Sequence, residues 1–547
     1  MRALLARWIP IQPGEGRWVL IAFVVYFLVM AGLMLGRNAR DSLFLKNIGI
    51  AYLPYMYAAN AVFVVWASFF FSTYMDRVER VRFVTYSYSA FIILLGVSRG
   101  LLELQVTWFY VVLYLVAQSI WILSVMVFWM FVGELFDTRQ AKRLFPVVSL
   151  GGLLGMIGVG LFNRPLIRAV GTPNLFFAWM AALALALILI RTLGPQAASP
   201  EEVERRATRP RQAKSAWAQM REGWLYLRST PLLRVMAGIV ATLLLVGVMV
   251  DFQFNAVMTA AYPSQDALAS FLGTFVGWAG FFSLLSQLFL IPFLIPRLGV
   301  GATILIHPGL LMGLTSLMSL ILGYHTVLTA KLVDHVAFYT VQDSSYQLLY
   351  NPIPLDRRGR VRAFIEGYLK PLTIGVAGLL LLAVRFFEPS PALFSGLSVV
   401  LAAVGLGFSL QVKKSYVRAL IDNLHGESPA LRLAAANALA RLKDPDSLKI
   451  LEHTLRTGEP RVVAFAIEFI ERFGLVEAQR LIVPLLEHPH PRVRATTVSA
   501  LARMRSPDLA AQLPRLLDDA NSRVRANAVL ALADYLKVKP TTEPKPI

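Results

Sequence analysis

The sequence predicts an all-α protein in which twelve transmembrane helices, arranged as six plus six, precede a soluble α-solenoid. Three observations carry this. Of 547 residues, 56% are hydrophobic and 16% charged, and the mean hydropathy of +0.59 lies well outside the range of soluble globular chains. Apolar stretches of spanning length recur from Trp18 to Leu410, with one long polar break between the sixth and the seventh. Beyond Val412 the pattern changes to a repeat with a period of 31 residues.

The spans fall at 18–36, 53–74, 83–101, 107–132, 145–162, 174–192, 232–250, 267–295, 301–323, 327–350, 363–385 and 391–411. The first lacks a small-residue cleavage site and is followed by further spans, so it reads as a retained helix rather than a removed signal peptide. One alternate set of loops carries Arg77, Arg80 and Arg82, then Arg139, Lys142 and Arg143, then the linker around Arg205 to Arg228, then Arg357, Arg358, Arg360 and Arg362. By the positive-inside rule this set is cytoplasmic, which places both termini and the solenoid inside. The expected divisions are a six-helix half over 1–193, a basic cytoplasmic linker over 194–231, a second half over 232–411, the solenoid over 412–538 and a disordered tail over 539–547.

The formal charge of +20 does not point to nucleic acid, because the basic residues are spread over short loops rather than gathered on a soluble face with stacking aromatics. With no cysteine there is neither a disulfide nor a thiolate metal site, and the seven histidines show no ligand spacing. No Gly-x-x-x-x-Gly-Lys loop is present, so the expectation is a non-enzyme without cofactor or metal, driven by exchange or by a gradient.

Ionisable residues inside spans are costly and are functional hypotheses by default. Arg37 and Asp41 lie four apart after the first span and are expected to pair, while Arg40 points about 100° away with its donors free to grip phosphate or carboxylate. The alternative is a juxtamembrane ion pair with no ligand. In the seventh span Asp251, Gln253 and Asn255 alternate, a spacing that makes no helical face and suggests a break or an unwound turn. Asp251 would repel anions, pair with a base or take up a proton. Glu366 and Lys370 in the eleventh span lie four apart in the favourable order; they neutralise each other, or a substrate anion displaces Glu366. The tenth span carries Asp334, His335, Gln342, Asp343 and Gln347, which suits a cavity-lining helix, interhelical hydrogen bonding being the other use for such groups.

The six-plus-six layout resembles the major facilitator architecture, whose halves rock about a site near the bilayer midplane. Asp76-Arg77-Val-Glu-Arg80 after the second span is similar to the Asp-Arg-x-x-Arg loop of that superfamily, and equally to a topogenic basic loop. Pro429-Ala-Leu-Arg, Pro460-Arg-Val-Val, Pro491-Arg-Val-Arg and Ser522-Arg-Val-Arg each open an Ala-rich run and resemble HEAT repeats, which bind proteins or cap the membrane domain passively.

Five ordered segments together resemble the ATP/ADP translocase family of plastids and intracellular bacteria. Arg40-Asp41-Ser-Leu is similar to its Lys-Asp-x-Leu. Phe128-Trp129 with Gln140-Ala-Lys142-Arg143-Leu-Phe-Pro146 resembles its Phe-Trp and Glu-Ala-Lys-Arg-Phe-Tyr-Pro, and Gly151, Gly152 and Gly155 follow in its glycine-bearing helix. Val250-Asp251, Tyr262-Pro-Ser264 and Phe271-Leu-Gly273 form the fourth segment, and Tyr339 and Asp343 through Arg360-Val-Arg362 to Lys370 the fifth. Of the family's two transport lysines and two glutamates, Lys370 is kept, Arg40 and Asp251 are charge-conserving replacements, and Gln118 stands where a glutamate would be.

The resemblance implies a multi-pass transporter of the bacterial inner membrane for nucleotides or related phosphorylated anions, working by exchange or proton coupling. Arg40, Lys370, Gln118, Asp251 and Asp343 are its expected substrate contacts, and Arg37, Asp41, Glu366, Lys142 and Arg143 its gating or pairing groups. The expected partners are the anionic substrate, the lipid bilayer and a cytoplasmic protein on the HEAT repeats. Rival readings are a transporter of another organic anion or a lipid, and a membrane-anchored scaffold or sensor; a closed cavity with Arg40 fully paired would favour the scaffold.

Overall fold

The computed structural model describes residues 11–12, 14–75, 80–136, 138–192, 216–386, 391–424, 452, 455–456, 460–472 and 476–537. No strand occurs among them. The chain divides into two compact units, one formed by residues 1–346 and 356–411, the other by 347–355 and 412–547.

In the first unit the long helices follow the expected order: α1 (Gly16–Asn47), α2 (Leu53–Met75), α3 (Arg80–Leu101), α4 (Thr107–Leu135), α5 (Thr138–Val170), α6 (Leu175–Arg191), α7 (Pro231–Ala261) and α8 (Gln265–Leu285). A surface helix, Ala216–Ser229, precedes α7. Next come α9 (Ile291–Leu320), α10 (Tyr324–Ala337), α11 (Leu355–Phe364, resuming as Lys370–Phe386) and α12 (Pro391–Leu424). Nine helical stretches among the described residues are long and apolar enough to cross a bilayer, fewer than the twelve expected. One reason is that the stretch Gln265–Leu320, at 56 residues, holds two of the expected spans, separated where Gly299 adopts φ 73°. Another is that α10 has only 14 residues and that α2 enters the count only over Ile50–Trp66.

Leu161, Phe162, Phe289 and Leu320 are each about 70% exposed or more, an apolar surface that water would not tolerate and lipid does. Inside, close packing depends on glycine. A Cβ on Gly36 of α1 would lie 2.0 Å from the Trp179 ring of α6, and one on Gly160 of α5 would lie 2.2 Å from Cα of Gly277 on α8. The second contact joins the two halves.

Among the described residues three π turns occur: Ser286–Leu290 after α8, Phe338–Gln342 after α10, from which the chain runs on as Asp343–Leu349, and Ile365–Leu369 within α11. Each adds one residue to the turn and rotates the rest of its helix by about 100°. The Ser286 and Thr340 hydroxyls, in two of these turns, lie 3.0 Å apart. The break expected at Asp251 to Asn255 does not occur: α7 is helical from Pro231 to Ala261, and Asn255 Nδ2 donates to the Asp251 backbone oxygen four residues back, at 2.9 Å.

In the second unit α13 (Pro460–Arg472), α14 (Val476–Ile482), α15 (Pro491–Arg503), α16 (Pro507–Leu517) and α17 (Ser522–Lys537) follow the 31-residue period. Helix α15 packs between α13 and α17, burying Val463, Ile467, Val493, Val498, Val524 and Ala528. Arg494 grips the Asp519 carboxylate of the next repeat in a two-point fork, both contacts at 2.8 Å. Its guanidinium, through that hydrogen bonding, holds the Asp519 carboxyl below the usual range. The first repeat, from Pro429, lies outside the described residues.

Candidate functional site

A cavity of about 310 Å³ opens in the first unit between α1, α2 and α4 on one side and α7, α10 and α11 on the other. It stands at the small end of ordinary ligand pockets. Three cations line it, Arg37 and Arg40 from α1 and Lys331 from α10, with three carboxylates, Asp41, Asp251 and Asp334. Five aromatic rings, Tyr57, Tyr114, Trp121, Phe338 and Tyr339, share the remaining wall with aliphatic and polar side chains.

Arg40 is the tightly engaged cation. Its Nε donates to Asp41 Oδ1 at 2.8 Å, Nη2 lies 2.6 Å from the same oxygen, Nη1 donates to Gln118 Oε1, and the guanidinium stacks 4.3 Å from the centre of the Tyr114 ring. Only 6% of its side chain is exposed. Arg37 is held more loosely, 3.5 Å from Asp41 Oδ2, and its side chain is 35% exposed. The expected Arg37–Asp41 pair is present, and Arg40, expected to keep its donors free, is the more closely held of the two. Asp41 turns to the guanidinium beside it because Gln118 and Tyr114 on α4 offer Arg40 two further contacts, and Arg37, one turn earlier, is the donor left facing the cavity.

Lys331 is the functional candidate that sequence reasoning missed. Its Nζ lies 2.7 Å from Asp251 Oδ1 on α7. The other carboxylate oxygen of Asp251 accepts from Tyr57 on α2 at 2.6 Å and from Asn255 at 3.1 Å. Asp251 thereby connects the two halves across the cavity. A lysine within the apolar run Val327 to Ala337 is the kind of signal that intramembrane charge supplies, here overshadowed by the neighbouring Asp334 and His335.

Other expected site residues are not brought in. Lys370 pairs with Glu366 at 2.6 Å and neither lines the cavity; Glu366 lies within the π turn Ile365–Leu369 and Lys370 directly follows it, so the facing of the helix changes at this pair. Asp343 follows the π turn Phe338–Gln342 and is exposed away from the cavity; Gln342 is buried and Gln347 half-buried, both outside it. Arg143 Nη2 pairs with Glu15 Oε1 at 2.6 Å, at the start of α1. The side chain of Lys142 and the loop 76–79, with Asp76 and Arg77, lie outside the described residues.

Contacts between halves gather at the end of the unit where α1 finishes. Lys46 Nζ donates to the Thr259 carbonyl at 2.7 Å, Thr172 N and Oγ1 donate to Asp266 Oδ1 at 3.0 and 2.5 Å, and Asn163 Nδ2 donates to the Ala269 carbonyl at 2.8 Å. Gly378 of α11 approaches α2 so closely that a Cβ there would meet the Pro54 oxygen at 2.6 Å. At the opposite end Glu15 pairs with Arg143 inside the first half, and Glu222 of the surface helix in the linker pairs with Arg360 of α11.

Comparison with known proteins places this geometry. The profile of the TLC ATP/ADP transporters matches residues 54–343, and HEAT repeats match 401–471, 417–486 and 478–543. The ADP,ATP carrier protein 1 of Chlamydia pneumoniae is 21% identical over 350 residues, covering 56% of this chain and 64% of its own length. The ADP,ATP carrier protein 3 of Rickettsia felis is 22% identical, covering 47% and 59%. The chain thus spans less than two thirds of the curated relatives it matches. Among solved structures, the nucleoside transporter NupG superposes with a TM-score of 0.53 at 11–12% identity, covering 73% of this chain and 98–99% of its own. A D-xylose-proton symporter gives 0.50 at 14% identity, covering 73% and 97%. These likenesses show a major facilitator-like fold.

Proposed function

Since the chain belongs to the TLC ATP/ADP transporter family, we propose that it carries nucleotides or related phosphorylated anions across a bacterial inner membrane by exchange, with alternating access about the cavity of Arg37 and Lys331. The observation that carries this reading is that these two cations line one cavity from opposite halves, with Arg37 only loosely paired. A guanidinium takes two phosphate oxygens in a fork and an ammonium takes one as a point charge. A polyphosphate offers enough oxygens for both. Tyr57, Tyr114 and Trp121 supply faces for a base, and stacking tolerates any base. Arg40 holds Asp41, Gln118 and Tyr114 in place rather than gripping the anion, and Asp251 is the carboxylate that a phosphate displaces from Lys331.

Exchange follows from that displacement. With the anion absent, Tyr57, Asp251 and Lys331 tie the halves together, and with it bound the anion itself bridges Arg37 and Lys331. Helix ends joined by Lys46, Thr172 and Asn163 form the outer closure of a state open to the cytoplasm, in the orientation that the basic loops specify. The HEAT repeats then lie in the cytoplasm and offer a surface to a protein partner.

The test is ligand-dependent stabilisation of the purified protein. ATP, ADP and pyrophosphate should raise the melting temperature with saturation, adenosine should not, and Arg37→Ala and Lys331→Ala should each weaken ATP about tenfold or more, the usual scale for a charged hydrogen bond. Adenosine binding as well as ATP would overturn the phosphate grip.

A further inference from the structure

Behind the cavity wall sits a pair that the anion grip leaves unused. His307 on α9 is fully buried, with Nε2 3.2 Å from Asp334 Oδ1. Its Nδ1 has no hydrogen-bond partner among the described residues, and its ring meets Phe338 edge-on at 5.9 Å. Asp334 lines the cavity, and its Oδ2 is what a Cβ on Gly247 of α7 would meet at 3.7 Å. Asp334 therefore touches a buried imidazole through Oδ1 and is itself a residue of the cavity wall.

We infer that His307 and Asp334 form a proton-binding site coupled to anion movement, so that the chain can carry a proton together with its phosphorylated substrate. This rests on the reading that the cavity holds such an anion. The pair is neutral when it shares one proton, as ionised carboxylate with imidazolium or as acid with imidazole, and anionic when it has none. Among the described residues no permanent cation pairs with Asp334: Lys331, one turn earlier on α10, is engaged by Asp251.

The surrounding charges set the direction of coupling. On α10 the pair has Lys331, His335 and Tyr339 beside it; α7 brings Asp251, α1 brings Arg37, Arg40 and Asp41, and Tyr57 and Tyr114 stand across the cavity. Arg37, Arg40 and Lys331 against Asp41 and Asp251 leave one positive charge. The deprotonated pair cancels it and the protonated pair restores it. A polyanion therefore binds better to the protonated site, and by reciprocity the proton binds better beside the anion. A second imidazole, His335, lines the cavity itself, one turn from Lys331. The proton comes from water on the open side and returns to water on the other, so only an O–H or N–H bond forms and breaks.

Reconstitution into proteoliposomes with the membrane potential clamped separates this from the exchange reading. In vesicles preloaded with ATP at equal pH, labelled ATP should exchange in the parent and in His307→Gln. In vesicles without internal nucleotide, an inward acid gradient of one unit should drive ATP accumulation about tenfold, the limit for one proton per anion, with acidification of an entrapped pH dye. That accumulation and the dye signal should vanish in His307→Gln. Exchange in the parent without any gradient response overturns the proton site and leaves the exchange reading standing. Loss of gradient response in His335→Gln with retention in His307→Gln also overturns it. No exchange and no gradient-driven uptake in folded parent would overturn both.

Discussion

Lys331 Nζ lies 2.7 Å from Asp251 Oδ1, and the same carboxylate accepts the Tyr57 hydroxyl from the other half of the membrane unit at 2.6 Å. A substrate phosphate entering the cavity must compete with Asp251 for Lys331. The competition makes opposite demands on the two residues. Lys331→Gln should weaken ATP, whereas Asp251→Asn should tighten it by freeing the ammonium, and should slow turnover because the tie across the empty cavity is lost. Binding isotherms alongside initial exchange rates measure both; equal weakening in the two variants would contradict a competitive role for Asp251.

Arg37 and Arg40 should separate in the same way. Truncating Arg40 leaves Gln118 without this partner and Asp41 with only the looser Arg37 contact, in a site where only 6% of the arginine is exposed, so Arg40→Ala should lower the melting temperature, in keeping with the few kcal/mol that broken buried pairs cost. Arg37→Ala should leave the melting temperature nearly unchanged and weaken ATP. Unfolding curves with and without ATP distinguish these outcomes.

This pair also marks how far the sequence could be read. The membrane fold and the solenoid were legible because each rests on a long-range pattern, span length in one case and a 31-residue period in the other. Asp251 was legible as an ionisable group in a span. So was the Arg37–Asp41 pair; the second and closer hold of Arg40 on Asp41 was not, because it is set by Gln118 and Tyr114, 77 and 73 residues further along from Asp41. Lys370 and Asp343, expected as substrate contacts, lie outside the cavity for a different reason. A π turn adds one residue to a helical turn without changing composition, so the facing of side chains around 338–342 and 365–369 cannot be counted off at 3.6 residues per turn.

The crossing of α5 and α8 should govern the closed end. With 2.2 Å between a Cβ at Gly160 and Cα of Gly277, Gly160→Val forces the helices apart. The chain has no cysteine, so Thr172→Cys introduces one reporter beside Asp266. An impermeant thiol reagent should label it slowly in the otherwise native protein and at least several-fold faster in the Gly160→Val background. Equal rates would mean that this crossing does not hold the end shut.

In the solenoid, Arg494 keeps the Asp519 carboxyl below its usual range in the folded state. A depressed folded value means stabilisation that is present above the unfolded value of about 3.9 and disappears as pH falls through the folded one. Acidification below about pH 4 should therefore speed hydrogen exchange in α15 to α17, and Asp519→Asn should flatten that dependence while costing about 2 kcal/mol at neutral pH, the scale of a charged hydrogen bond. Exchange rates across Pro491 to Lys537 report both.

The most direct test of the central claim is counter-exchange of labelled ATP in proteoliposomes preloaded with ADP, comparing the parent with Lys331→Gln and Lys370→Gln. Exchange should be saturable in the parent, should fall at least tenfold in kcat/KM for Lys331→Gln, and should change much less for Lys370→Gln, whose partner is Glu366 outside the cavity. Exchange that survives Lys331→Gln and disappears in Lys370→Gln would contradict the cavity as the place where the anion is held.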